Sequence, residues 1–163
     1  MFYTITPLAP ICNDLRSKNY KLVLATGFFD LLHSEHINFL TKAKAAGDIL
    51  IVAVESDERA RITKGEGRPI ETQSIRCQHL LDLEFPNGHL VDYVISLPLD
   101  FNNFAAYDSL ISAIRPMIYA ISSHTTHLKS KTFLVEKYGG KLVIVHEFNP
   151  EISTTKIIAD NQV

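Results

Sequence analysis

The sequence predicts a doubly wound α/β domain whose core is a five-stranded parallel sheet. Short apolar runs alternate with segments of helical spacing, which is typical of βαβ units joined by right-handed crossovers. One run, DILIVAVE at 48–55, is almost continuously apolar, as in a strand that is buried on both faces. The chain has 163 residues, no internal repeat and no low-complexity linker, so residues 1–163 are expected to form a single domain.

The elements can be predicted in order from the spacing of apolar residues and from the helix stop signals. Residues 1–20 hold a short helix near 11–17 and are expected to lie as a flank on the domain edge. A strand at 21–26 leads through a glycine turn into a helix that begins near Ser34 and ends at Gly47. The remaining predicted elements are a strand at 48–55, a mobile polar loop at 58–70, a helix at 71–83, a strand at 93–97, a helix at 104–114, a strand at 117–121, a helix at 129–137, a strand at 141–147 and a last helix from Ser153 or Thr154.

Composition excludes several classes of function. A net charge of -2 argues against a nucleic-acid-binding surface, which normally carries a basic excess. No run approaches the roughly 18 apolar residues that a membrane span needs, and the first residues lack the features of a signal peptide. Cys12 and Cys77 lie far apart without CxxC spacing, which disfavours a disulfide framework or a cysteine metal site. We therefore expect a cytoplasmic protein with no nucleic-acid or membrane partner.

The segment at 22–40, LVLATGFFDLLHSEHINFL, has the pattern of an anion-binding turn. A strand breaks at 26–27, an aromatic and acidic turn follows at 28–30, and a helix begins soon after. Unpaired backbone N–H groups and the helix dipole both favour an anion at such a point. His33 and His36 share one face of the first helical turn, and imidazoles can bind phosphate in either protonation state. The alternative is that both histidines are hydrogen-bonded groups that cap the helix.

Three other kinds of site are disfavoured by the sequence. A dinucleotide fingerprint (GxGxxG) and a P-loop (GxxxxGK[ST]) are both absent, which weakens the dehydrogenase and ATPase hypotheses. Two HxxH pairs, at 33–36 and 124–127, suggest zinc, but neither has a cysteine or carboxylate at ligand spacing, and no metal site is expected.

The hydroxyl residues at 153–155 are good N-cap candidates for the last helix. Capping alone would explain them without any functional role.

Residues 27–36, GFFDLLHSEH, resemble the GxFDxxHxGH signature of the cytidylyltransferase-like nucleotidyltransferases, with Glu35 where that family has glycine. The segments KGEGRPIETQSIR at 64–76 and ISTTKII at 152–158 are similar to two further motifs of the family, in the same order. The C-terminal half is most similar to adenylyltransferases that act on a heptose 1-phosphate in lipopolysaccharide precursor synthesis, closely followed by glycerol 3-phosphate cytidylyltransferases. A second departure lies at 118–124, IYAISSH, where relatives carry a VKGxD stretch.

The resemblance implies a Rossmann-like fold and a nucleotidyltransferase. Such an enzyme transfers a nucleoside monophosphate from ATP or CTP, with Mg²⁺ on the triphosphate, to a phosphorylated sugar or polyol and releases pyrophosphate. His33, His36 and Lys64 are then the catalytic residues. Residues expected to bind the nucleotide or its phosphates are Thr26, Gly27, Phe28, Phe29, Arg76, Ser153, Thr154 and Thr155.

Several roles stay open at the level of the sequence. Asp30 is either a structural turn residue or an acceptor-binding group. Lys64 and Arg76 are expected to be exposed, and Arg59, Arg61 and Arg68 are expected to be plain surface charge. The altered positions leave a second hypothesis, a catalytically impaired relative that binds a nucleotide or another anion as a regulatory module. A flavodoxin-like binder is a third hypothesis, and a homodimer is left open.

Overall fold

Seven strands and seven helices lie in the part of the chain that the computed structural model describes, which comprises residues 2–86, 88–149, 152 and 154–160. The strands are β1 (Leu22–Gly27), β2 (Ile49–Val54), β3 (Glu84–Phe85), β4 (Gly88–His89), β5 (Tyr93–Ser96), β6 (Ile118–Ser122) and β7 (Lys141–His146). The helices are α1 (Ile5–Ser17), α2 (Ser34–Ala45), α3 (Asp57–Lys64), α4 (Gln73–Leu81), α5 (Phe104–Ile114), α6 (Leu128–Lys137) and α7 (Thr154–Asp160).

Five of these strands form one parallel sheet in the order β5-β2-β1-β6-β7. The chain leaves β1 toward β2 on one side and later returns to β6 on the other, so the strand order reverses between β1 and β6. In open α/β sheets, ligands bind beyond the carboxyl ends of the strands at such a reversal. The predicted five-stranded, doubly wound α/β fold is confirmed, and its central strand leads directly into the histidine turn.

Helices cover both faces of the sheet and bury an apolar core on each. On one face, α1, α5 and α6 contribute Leu8, Ile111 and Leu134 to the core. On the other face, α2 and α4 contribute Phe39 and Leu80. The first four residues of β1 and the last five of β2 are buried, which explains why these strands read as continuous apolar runs.

The first helix differs from its prediction. It begins at Ile5 rather than near residue 11, and Pro10 lies inside it. Leu8 and Cys12 are fully buried against the sheet-facing residues of the core, so the N-terminal segment is part of the core and not a flank on the domain edge. Burial of these side chains outweighs the disruption that a proline inside a helix causes.

The predicted mobile loop at 58–70 is also partly wrong, because its first half forms α3. Ser56 caps this helix by accepting a hydrogen bond from the backbone N–H of Arg59. Acidic residues in the first turn and basic residues in the last turn complement the helix dipole. The short antiparallel pair β3–β4 was not predicted, since each of its strands has only two residues. Among the residues that the structure describes, no helix has the length and hydropathy needed to cross a membrane.

Candidate active site

The turn that follows β1 is tightly folded over an aromatic ring. Phe29 and Leu31 have positive φ angles, 54° and 50°, which allow the chain to reverse before α2 begins. The Phe29 ring is buried against Phe39 and His36, so the predicted nucleotide contact of Phe29 would have to involve its backbone. A Cβ atom at Gly27 would lie 3.0 Å from the Phe29 ring, which is why a glycine suits this position.

His33 and His36 stack on each other at the start of α2, with 3.8 Å between ring centroids and 20° between ring planes. Among the described residues, neither buried Nδ1 atom has a hydrogen-bond partner. An N–H without an acceptor is rarely buried, so this environment favours the tautomer that carries its proton on Nε2. In this tautomer each ring carries an Nε2–H donor at the start of α2.

Burial favours the neutral forms of both imidazoles. It lowers the pKa of His36 to about 3, with the neighbouring His33 acting in the same direction. Burial also lowers the pKa of His33, against an opposing effect of the Glu35 carboxylate. Because a bound anion would favour the protonated forms, these pKa values are expected to rise when phosphate binds.

Asp30 is a structural residue in the described structure. Its carboxylate accepts hydrogen bonds from Arg68 Nε at 2.8 Å and from the backbone N–H groups of Ile70 and Glu71 at 3.0 Å, and its side chain is 2% exposed. The carboxylate, for which the sequence left a structural role and an acceptor-binding role open, thus holds the segment at 68–71 against the turn. Arg68 is not plain surface charge, because its half-buried guanidinium forms an ion pair with Asp30.

Arg76 is fully buried, and the prediction that it is exposed is wrong. Its guanidinium donates to the backbone oxygens of Glu71 at 3.0 Å and Glu55 at 2.9 Å, to that of Phe28, and to Asp57 Oδ1 at 2.7 Å. These acceptors replace the water that an exposed arginine would bind. Arg76 therefore connects the turn after β1 to the start of α3 through these hydrogen bonds.

Lys64 is exposed, as predicted, at the end of α3. Its Nζ lies 5.9 Å from the centroid of the Phe28 ring, so the ammonium stands beside the turn. Thr26 Oγ1 and Tyr119 OH share a hydrogen bond of 2.8 Å, which joins the ends of β1 and β6. The structure thus brings Lys64 to the same turn as the two histidines.

The last helix approaches the turn through Thr154. This residue is buried, and its Oγ1 donates a hydrogen bond of 2.7 Å to the backbone oxygen of Asp30. Thr155 is exposed in the first turn of the same helix. Ser153, which was predicted as a phosphate-binding residue, lies outside the described residues.

Glu35, which stands at the glycine position of the signature, has partners of its own. Its Oε2 accepts a hydrogen bond of 2.9 Å from His146 Nε2 at the end of β7, and its Oε1 accepts one of 3.2 Å from Asn38. Lys42 Nζ lies 3.2 Å from His146 Nδ1, so His146 links α2 to β7. The hydrogen bond from His146 is the main reason why the pKa of Glu35 is lowered.

Sequence reasoning missed His146 and also Glu55, a buried carboxylate directly after β2. Glu55 Oε1 accepts a hydrogen bond of 2.6 Å from Tyr107 OH, whereas Oε2 has no partner among the residues described. The signal for Glu55 was available, because it is the charged residue that ends the apolar run of β2. His146 carries no comparable signal, since its partner Glu35 is 111 positions away in the sequence.

A model of the cytidylyltransferase-like family matches residues 24–160. The bifunctional protein HldE of Desulfatibacillum aliphaticivorans is 33% identical over 150 residues, which are 90% of this chain and 28% of that protein. The bifunctional protein HldE of Wolinella succinogenes is 43% identical over 106 residues, which are 65% of this chain and 20% of that protein. The chain therefore spans less than a third of the length of these relatives.

Two solved structures share the fold. The lipopolysaccharide core biosynthesis protein from Thermoplasma volcanium has a TM-score of 0.61 at 24% identity, over 80% of this chain and 97% of that one. Pantoate-beta-alanine ligase from Francisella tularensis, complexed with beta-gamma ATP and beta-alanine, has a TM-score of 0.59 at 15% identity, over 98% of this chain and 75% of that one. The match over 24–160 includes the histidine turn and the last helix, and the resemblance predicted from residues 27–36 is confirmed. The chain belongs to the cytidylyltransferase-like family.

Proposed function

We propose that this chain is a nucleotidyltransferase that transfers a nucleoside monophosphate from ATP or CTP to a phosphorylated sugar or polyol. The observation that carries the proposal is the stacked, neutral pair His33 and His36 at the N-terminus of α2, beside a glycine turn at the reversal of strand order. Membership of the cytidylyltransferase-like family and the similarity to HldE proteins support it.

In the proposed reaction, an oxygen of the acceptor phosphate attacks the α-phosphorus of the nucleotide. The bond between that phosphorus and the oxygen bridging to the β-phosphate breaks, and pyrophosphate leaves. The Nε2–H groups of His33 and His36 would stabilise the charge that develops on the α-phosphate. Positioning and electrostatic stabilisation dominate this class of reaction, so neither histidine has to act as a nucleophile.

The other predicted residues take different parts in this proposal. Lys64 would bind a phosphate as an exposed point charge, and the start of α7, with Thr155, would close the site over the β- and γ-phosphates. Arg76 is assigned a positioning role, because its guanidinium is occupied by Asp57 and by backbone oxygens of the turn. Thr154 likewise holds α7 on the turn through its bond to Asp30.

We propose Mg²⁺ as a companion of the triphosphate and not as an ion held by a cluster of protein ligands. Over the described residues, no group of three or more histidine, cysteine, aspartate or glutamate side chains is placed to hold a metal ion. Mg²⁺ commonly retains several waters and binds substrate phosphates with few protein ligands. The ion would supply charge neutralisation on the triphosphate, while the histidines and Lys64 orient the phosphates.

The second hypothesis, a relative that binds nucleotide without turning it over, rests on Glu35 and on the altered segment at 118–124. Its carboxylate lies at the N-terminus of α2 and is held there by His146 and Asn38, close enough to His33 to affect its pKa. A negative charge at this position opposes a triphosphate. This hypothesis predicts nucleotide binding without pyrophosphate release.

Pyrophosphate release should be measured with ATP and CTP against heptose 1-phosphate, hexose 1-phosphates and glycerol 3-phosphate, with and without Mg²⁺. The proposal expects release that depends on one nucleotide, one acceptor and Mg²⁺, and that is lost in His33→Asn and His36→Asn. Binding of ATP or CTP without release would support the impaired relative. Failure to bind either nucleotide would contradict both hypotheses.

A further inference from the structure

Glu55 is a buried carboxylate that the proposed reaction does not yet use. It is 6% exposed, its Oε1 accepts a hydrogen bond from Tyr107 OH, and its Oε2 has no partner among the described residues. Burial of the charged group raises its pKa. A residue with a purely structural role at this position would normally have both oxygens satisfied, so an orphaned oxygen points to a missing hydrogen-bond donor.

The position of Glu55 links this oxygen to the candidate active site. The backbone N–H of Glu55 donates a hydrogen bond of 2.9 Å to the oxygen of Gly27, so this residue lies beside the turn after β1. Tyr107 packs on the sheet face covered by α1, α5 and α6, whereas α2 packs on the opposite face. Glu55 and the histidine pair therefore approach Gly27 from opposite sides of the sheet edge.

Lys131 on α6 places a cation in the same region. Its half-buried ammonium lies 5.5 Å from the centroid of the Tyr119 ring, and the Tyr119 hydroxyl is bonded to Thr26 next to the glycine turn. Burial lowers the pKa of Lys131, and the charge of Glu55 acts in the opposite direction. The region thus combines one carboxylate oxygen that needs a donor, one ammonium and two tyrosines.

We propose that Glu55 and Lys131 form the acceptor subsite and that it takes a polyhydroxylated phosphate. A hydroxyl of the sugar or polyol would donate to Glu55 Oε2, and Lys131 would contact the acceptor phosphate, bringing its oxygen to the turn that holds the nucleotide. This inference rests on the proposed function and adds the acceptor site to it. Asp30, the group predicted for this role, has its carboxylate bonded to Arg68 and to the backbone at 70–71.

The kinetic test compares Glu55→Gln and Lys131→Met with matched controls, Glu58→Gln on α3 and the exposed Lys129→Met on α6. We expect the acceptor KM to rise at least about tenfold in both subsite variants, which corresponds to a single lost hydrogen bond to a charged group. The KM for the nucleotide should change less than twofold, and both controls should behave like the natural protein. An unchanged acceptor KM, or an equal rise in both KM values, would overturn the subsite.

A binding measurement separates this inference from the proposed function. Calorimetry with hexose 1-phosphate, glycerol 3-phosphate and inorganic phosphate, in the presence of a non-hydrolysable nucleotide, needs no turnover. Glu55→Gln should weaken the two hydroxylated ligands about tenfold and leave inorganic phosphate unchanged, whereas Lys131→Met should weaken all three. If pyrophosphate is never released but this binding pattern is observed, the proposed reaction is wrong and the proposed acceptor subsite is supported. If the natural protein binds none of the three, the subsite is wrong.

Discussion

Two groups of polar side chains meet at the turn after β1, and they differ in how completely the protein satisfies them. Asp30 and Arg76 are buried, and their charged ends are bonded to backbone groups and to oppositely charged partners. His33, His36 and Glu55 are also buried or half-buried, but each keeps a nitrogen or oxygen without a partner among the described residues. The comparison separates the residues that build the site from those that are left for a ligand.

The largest expected effect is on turnover, and it concerns His36, which has a ring nitrogen without a hydrogen-bond partner among the described residues. His36→Asn should lower kcat by about 10²–10³-fold, because in the proposed reaction it removes a donor to the charge of the transition state. The loss of stability should be limited to the ring contacts with His33 and Phe29, since the imidazole Nδ1 has no partner in the described structure. Pyrophosphate release and thermal unfolding measure the two quantities, with the exposed His89→Asn on β4 as control. A parallel loss of folding and activity would make His36 a framework residue.

The second prediction concerns stability and Arg76, whose guanidinium is hydrogen-bonded within the fold. Arg76→Ala should reduce the free energy of unfolding by about 3–5 kcal/mol, because it leaves buried backbone oxygens and Asp57 without their donor. Arg61→Ala is the matched control, since Arg61 is exposed and paired with Glu58, and it should cost about 0–1 kcal/mol. Urea unfolding of both variants measures the change in the free energy of unfolding that each substitution causes. Similar losses in the two variants would contradict the structural role of Arg76.

Glu35 is intermediate between the two groups, since it is bonded to His146 and also lies at the start of α2, where the nucleotide is proposed to bind. Glu35→Gly should tighten ATP or CTP binding by about tenfold, because a negative charge and a side chain leave the place where glycine lets a ligand approach. Glu35→Gln separates the two causes, since it keeps the bulk and removes the charge. Calorimetric dissociation constants for ATP and CTP show whether the charge or the bulk of Glu35 weakens nucleotide binding. An unchanged constant in both variants would show that the carboxylate does not face the triphosphate.

The smallest effect is a pH-dependent gain in stability. Burial raises the pKa of Glu55 above its ordinary value of 4.5, so the natural protein loses stability as pH rises through and above that value, where the unfolded chain ionises more readily. Glu55→Gln should therefore raise Tm by a few degrees at pH 7 and lose this advantage near pH 4. Calorimetric melting between pH 4 and 8 tests the sign. A lower Tm for the variant at pH 7 would show that the charged form is stabilised in the folded protein.

Much of the fold could be predicted because its signals are local. The spacing of apolar residues gave helix α5 with the bounds that the structure has, 104–114, and glycine and proline marked where helices stop. Helix α3 was missed because only one of its residues, Ala60, is buried, so its sequence shows capping and charge order but little apolar periodicity. A prediction that gave weight to Ser56 as a cap would have found it.

The site was predictable only in part. The glycine turn and the spacing of His33 and His36 placed both histidines together, because these relations span only a few residues. The roles of Asp30 and Arg76 could not be predicted, because a charged side chain binds backbone or ligand according to which groups the fold brings within about 3 Å. Arg76 reaches the oxygen of Phe28 from 48 positions away, a contact that no local pattern encodes.

The hydrogen bond between Thr154 and Asp30 has a consequence for synthesis of the protein, because it joins residues 124 positions apart. At a translation rate of about 5–20 residues per second, Thr154 is added about 6–25 s after Asp30. During that interval the nascent chain can contain the histidine turn but not the helix that packs on it. In the proposed function, nucleotide would gain the contacts of α7 only after residues 154–160 have been added, so any protection that it gives against proteases would begin no earlier than that point.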